Sequence, residues 1–400
     1  MTGSCRWAMA VILLLASSSA APAAKAASKE PAPPAAPAKI TVESPLDYQV
    51  FQRQDFSRGT MRLAGELDAA AGGEVQFRIT GKPREGDLPA GWQPLAVDPR
   101  THAFAADVPA PAGGWYRLEV RGTKGNEALG RCVVEHVGVG EVFIVAGQSN
   151  SSNHGSEKQT PASGMGASFD GKKWALANDP QRGGSGNGGS FMPAFCDAMF
   201  ARYGVPVGVA AVGVGATSVR QWLPKGERMT NQPTTGALVK RVGPGEWEST
   251  GQCFDGMMQR IVRLGPHGFR AILWHQGESD AGQARSGYPA DRQITGEQYR
   301  AFMEKLIRAT RERAGWNIPW FVAQATYHSE KDPADEEFRA AQKALWRSGL
   351  AMEGPDTDAL RAEYRAGVHF NGKGLQAHGK LWAEKVAVYL DTLAAHAPAK

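Results

Sequence analysis

Cysteine is scarce: the 400-residue chain has four, with no Cys-x-x-Cys pair and no His-Glu-x-x-His motif, and its nine histidines do not cluster at metal-ligand spacing. A dense disulfide scaffold is therefore excluded, and neither a metal nor another cofactor is expected. Cys5 lies in the N-terminal leader, which leaves Cys132, Cys196 and Cys253. One disulfide, Cys196–Cys253, and three small buried thiols are both open readings. No run of 18 apolar residues occurs, so no transmembrane helix is expected. An excess of one charge is also lacking. The formal net charge is +5, and Arg6, Lys25, Lys29 and Lys39 against Glu30 place three of those five charges in residues 1–39. The rest of the chain lacks the basic patch or run of a nucleic-acid binder. With 42% apolar and 21% charged residues the chain can bury a core, which excludes wholesale disorder.

The first 26 residues read as a secretory signal peptide. Arg6 precedes the apolar stretch Ala8–Ala16, and the small-residue sites Ala21-Pro-Ala23 and Ala24-Lys-Ala26 follow. Nine apolar residues are too few to span a bilayer. Residues 27–39 are Ala/Pro-rich and read as a tether. The expected location is secreted or periplasmic, with no membrane partner.

The body divides near residue 140. From 40 to 139, short strands separated by Gly, Pro and Asp predict a small β-sandwich, with strands over 47–53, 60–67, 74–80, 103–108, 114–120 and 128–135. From 140 to 395 the rhythm is strand, loop, helix. Apolar runs at 141–146, 205–212, 269–274 and 318–323 alternate with helical patterns near 191–203, 252–264, 299–307, 335–348 and 373–394. That alternation predicts a parallel sheet covered on both faces, with the ligand at the carboxyl ends of the strands.

The loops at those ends carry the polar groups. Gly147-Gln-Ser-Asn150 follows the first strand, and Ser149 there is either an exposed nucleophile or a helix N-cap. Gly213-Val-Gly-Ala-Thr-Ser218 has Ser218 where a dinucleotide fingerprint needs glycine, so Gly215 reads as an oxyanion donor or as tight packing. Trp274-His-Gln-Gly-Glu-Ser-Asp280 offers Gln276 as an oxyanion donor and Glu278 as the partner of a histidine; a satisfied loop network is the plainer reading. In Val368-His-Phe-Asn371, His369 reads as a core histidine or as a general base, and Asn371 as the N-cap of the last helix. Trp222, Trp274 and Tyr327 read as core or as sugar-facing aromatics. Arg220 reads as a surface salt bridge or as the partner of a sugar carboxylate.

Gln148-Ser-Asn150, Trp274-His-Gln-Gly-Glu278 and Val368-His-Phe-Asn371, in that order and spacing, resemble the blocks of the sialate O-acetylesterase-like (SASA) domain. This domain belongs to the SGNH/GDSL hydrolase superfamily, near the acetyl xylan esterases. The resemblance covers roughly 140–392. It implies a flavodoxin-like three-layer α/β/α fold, with Ser149 as nucleophile and His369 as base. It also implies an oxyanion hole from the Ser149 N–H, Gly215 and the Gln276 side chain. Two positions depart from the pattern. Ala366 stands where the triad aspartate is usual, which leaves Glu278, Asp358 or a Ser–His dyad as alternatives. Ala216 stands where the family has glycine. Gln148, Asn150, Arg220, Trp222 and His275 are candidate sugar contacts. The expected activity is that of an exported carbohydrate O-acetylesterase acting on acetylated oligo- or polysaccharides. The alternatives are an inactive carbohydrate-binding protein and an esterase for other short acyl esters.

Overall fold

Strict alternation shapes the first part of the chain. In Arg58–Leu67, Met61, Leu63 and Leu67 point inward while Arg62 and Glu66 point outward. The computed structural model describes residues 40–68, 73–125, 127–233, 235–283 and 287–396. The proposed leader and tether lie outside the described residues. Strands β1 (Ile40–Ser44), β3 (Arg58–Leu67) and β6 (Ala103–Pro111) form one sheet. Strands β4 (Glu74–Thr80), β5 (Gln93–Leu95), β7 (Gly113–Lys124) and β8 (Glu127–Gly147), with β2 (Gln49–Gln52) beside β8, form the other. Leu63, Phe77, Phe104, Leu118 and Val137 fill the space between them.

Strand β8 joins this sandwich to the rest. Through Val139 it pairs antiparallel with β7, and from Glu141 it pairs parallel with β11 (Val207–Ala211) and β15 (Ala271–His275). The boundary read at 139/140 falls inside this one strand. The segment Val137-Gly-Val-Gly140 looks like a flexible joint but is extended ladder. A Cβ on Gly140 would lie 1.9 Å from the Pro206 carbonyl oxygen, so glycine is there because another backbone crosses it.

The larger sheet continues on both sides of β8. Its path runs β10 (Trp174–Leu176), β9 (Gly166–Phe169), β11, β8, β15, β16 (Trp320–Gln324), β17 (Met352–Asp356), and β10 alone is antiparallel. A small three-stranded sheet, β12 (Arg228–Met229), β13 (Val239–Gly243) and β14 (Glu246–Ser249), lies outside it. Alternate residues of β8 serve the two faces. Phe143 and Val145 pack with α1 (Met192–Tyr203) and α5 (Gly372–Ala395). Val142, Ile144 and Ala146 pack with α2 (Gln252–Leu264), α3 (Gly296–Ala314) and α4 (Glu336–Arg347). This is the three-layer α/β/α arrangement. It also separates two cysteines: Cys196 on α1 and Cys253 on α2 lie on opposite faces of the sheet, and all three described cysteines are free. Thr295 and Gln298 close a capping box at the start of α3, and Asn371 caps α5 by accepting from Gly374 N–H. Among the described residues no helix is long and apolar enough to cross a membrane.

Candidate active site

The end of β8 sets the site. Gly147 has φ 127°, and a Cβ there would lie 2.0 Å from the His275 carbonyl oxygen, so the chain turns hard against β15. It enters a single 3-10 turn, Ser149–Ser151, with Ser149 at its start. Ser149 faces a cavity of about 710 Å³ whose wall also includes His154, Gly215, Glu278, His328 and His369. The neighbouring hydroxyls are committed elsewhere: Ser151 Oγ donates to Gln148 O at 2.7 Å and Ser152 Oγ to Ser185 O at 2.5 Å.

His369 is half-buried on β19 (His369–Phe370), which pairs with β18 (Arg365–Ala366) in a two-residue-strand hairpin. Burial pushes its imidazole below the ordinary 6.5; the nearby His154 and Arg365 add to this, and Glu278 opposes it. His369 is therefore a neutral base at neutral pH. Arg365 pins the hairpin, donating to Leu360 O (2.7 Å), Val368 O (2.9 Å) and Thr357 O (2.8 Å). Its guanidinium lies under the rings of Phe370 and Tyr327, and burial pushes it down to about 10. Glu278 comes from the loop after β15, and its Oε1 accepts from Asn150 Nδ2 at 2.8 Å and faces His275 Nε2 at 3.0 Å. Burial pushes this carboxyl up, but His275 and Asn150 outweigh burial and hold it below its ordinary value. Ser149, His369 and Glu278 thus meet as walls of one cavity, without a hydrogen bond from the His369 ring to either partner. Such contacts often close only around bound substrate.

Several candidate contacts lie elsewhere. Gln276 is fully buried, and its Nε2 donates to Asp280 Oδ2 (2.8 Å) and Thr217 O (3.2 Å), so its amide does not serve an oxyanion in the cavity. Gly215 N–H donates to Ser185 Oγ at 2.8 Å. Arg220 does meet a carboxylate, but it is the protein's own Asp280, at 3.3 Å and fully buried. Trp222 is buried against Trp274, with Nε1 donating to Thr217 Oγ1. His275 is buried beneath Glu278. A buried cation or indole N–H needs an internal partner, and each of these has one instead of a sugar. Asn150 bridges Glu278 to Val368 O. Gln148 does line the cavity, with its Oε1 accepting from Ser279 N–H at 2.9 Å. Asp358 accepts from Thr326 N and Oγ1, Tyr327 N and Arg339 Nη1, which ties it to α4. Among the cavity residues that sequence reading missed are His154 and Ser185, which touch at 3.1 Å. Neither lies in a strand-end block, so no local signal marks them. Arg365 was also missed, although it adjoins Ala366.

Ala216 sits on the cavity wall at φ 58°. A left-handed L-residue costs roughly 1–2 kcal/mol, against roughly 0.5–1 kcal/mol of added chain entropy for glycine. Ala216→Gly is therefore expected to raise Tm slightly, and paired thermal melts check this; a lower Tm contradicts it.

Residues 139–388 match the family described as "Carbohydrate esterase, sialic acid-specific acetylesterase". Among solved structures, a carbohydrate acetylesterase from Xanthomonas citri aligns at 17% identity and TM-score 0.53, over 88% of this chain and 76% of that one. A protein from Arabidopsis thaliana aligns at 18% identity and TM-score 0.43, over 63% of this chain and 98% of that one. NanS aligns at 11% identity and TM-score 0.36, over 64% and 97%. No curated protein matches.

Proposed function

Because the chain belongs to the carbohydrate esterase family of sialic acid-specific acetylesterases, we infer that it is an exported serine O-acetylesterase of carbohydrates. The observation that carries this reading is the convergence of Ser149, His369 and Glu278 on one strand-end cavity. His369 takes the Ser149 proton as the oxygen attacks the acetyl carbonyl. Ser149 N–H and the Ser185 hydroxyl, polarised by Gly215 N–H, face the developing oxyanion. Glu278 stands beside the imidazolium that forms, its Oε2 buried and without a hydrogen-bond partner among the described residues. The sugar hydroxyl leaves with the His369 proton. Water, deprotonated by His369, then releases acetate. The leader over 1–26 supports export.

Acetate release from a panel of acetylated glycans, with a small acetyl ester and longer acyl esters beside them, tests this reading. Turnover of acetylated glycans in preference to long acyl esters is expected. A folded protein inert on all of them is a binding protein. Because burial holds His369 below 6.5 and its neutral form is the base, kcat/KM should be half-maximal below pH 6.5 and flat above it. A rate that falls steadily from pH 5 to 8 contradicts the role of His369.

A further inference from the structure

Behind Glu278 a line of side chains runs from the cavity wall into the core under α5. His275 Nε2 faces Glu278 Oε1 at 3.0 Å, and His275 Nδ1 lies 3.1 Å from His378 Nε2. Trp382 Nε1 lies 3.0 Å from that same His378 nitrogen. His275, His378 and Trp382 are fully buried. His378 and Trp382 are one helical turn apart on α5, so one face of that helix carries both.

Donor capacity fixes the protons along this line. An indole N–H only donates, so His378 Nε2 accepts and its proton is on Nδ1, which is buried without a hydrogen-bond partner among the described residues. His275 Nδ1 faces that same lone pair; with a hydrogen it shares the acceptor with the indole, whereas a bare nitrogen would set two lone pairs against each other. His275 Nε2 faces a carboxylate oxygen that already accepts from Asn150, and must carry a hydrogen too. A ring with two N–H groups is an imidazolium.

We propose that His378, held by Trp382, is a positioning residue that fixes His275 as the cationic partner of Glu278 and so keeps Glu278 ionised beside His369. This rests on the serine esterase reading. The charged and titratable groups around the line are few. Glu278 and Asn150 meet His275 from the loop after β15 and the turn after β8, His378 meets it from α5, and Arg365 and His369 come from the β18–β19 hairpin. Burial drives His378 far below the ordinary 6.5, with His275 and Arg365 adding to it, so it stays a neutral acceptor. Phe191 and Phe370 pack on its ring at 4.4 and 4.5 Å. Without that acceptor His275 keeps one proton and no charge, and a buried carboxylate left without its cation protonates at higher pH.

The test is His378→Phe, which keeps a ring against Phe191 and Phe370 but has no acceptor. The acid limb of kcat/KM should move up by about one pH unit, with kcat at pH 6 falling about three- to eightfold and KM within roughly twofold. His378→Gln, whose amide oxygen can accept from His275, should restore the wild-type limb. A folded His378→Phe protein with the wild-type profile overturns the proposal. If that variant does not fold, or the protein turns over no ester, NMR of the histidine nitrogens in the wild type decides. Two N–H groups on His275 at about pH 7.5 support the proposal and one overturns it. The NMR readout needs no turnover, so a failure of this inference and a failure of the esterase reading are distinguishable.

Discussion

Replacing Ser149 by alanine is expected to lower kcat by at least about 10⁴-fold while leaving the fold intact, since removal of a serine nucleophile typically costs that much or more. The argument for this serine over its neighbours is geometric. The Ser151 and Ser152 hydroxyls donate to backbone carbonyls, whereas Ser149 opens on the cavity shared with His369. Ser185 also lies on the cavity wall with a histidine beside it, since His154 lies 3.1 Å from its Oγ. Ser185→Ala therefore belongs in the same experiment, with an expected loss nearer the roughly 10²–10³-fold of a missing oxyanion donor. Acetate release should be followed to a sensitivity of about 10⁻⁴ of wild type. A Ser149→Ala protein retaining a tenth of the activity sinks the acyl-enzyme reading. A Ser185→Ala loss as deep as that of Ser149→Ala would move the nucleophile to Ser185.

The second large effect is on stability. Glu141, fully buried in the middle of β8, accepts from Arg53 Nε at 2.7 Å, Arg270 Nε at 2.8 Å and Gln52 Nε2 at 2.9 Å. Arg53 is itself buried, with its guanidinium 4.5 Å from the Phe56 ring. Glu141→Ala leaves that cation without a counter-charge, and breaking such a pair from one side costs about 3–5 kcal/mol. Equilibrium urea unfolding should show this as a lower midpoint with an unchanged slope. The pH dependence has a definite sign. Burial pushes the Glu141 carboxyl up, but Arg270 and Arg53 outweigh it and hold it below the ordinary 4.5. Its contribution is present above that value and lost as pH falls below it, so wild type and variant should converge in acid. A gap that persists undiminished at pH 3 would mean that packing, not charge, dominates at this position.

Much of the architecture was legible in the chain. The helices read near 252–264, 335–348 and 373–394 form as α2, α4 and α5, and Asn371 caps α5 as its position suggested. The four apolar runs became β8, β11, β15 and β16 of one parallel sheet. The exceptions are instructive. Strand β17, which no apolar run marks, carries Gly354-Pro355 and ends the path of the sheet, where a missing N–H is tolerated. The run 128–135 and the run 141–146 form one strand, because the glycines between them accommodate Pro206 rather than a bend.

The sequence by itself determined the elements, their order and the loops that hold the polar groups, because periods of 2 and 3.6 and the caps act over a few residues. Only the tertiary structure decided which of those groups meet the cavity. Arg220 found Asp280, 60 positions away, and His275 found His378, 103 positions away, so both are buried behind the cavity and not on the surface. His154 and Ser185 reached the cavity from loops with no strand-end signature. The physical reason is that a buried polar group takes whichever partner the fold brings to it, and that partner is set by packing between distant segments.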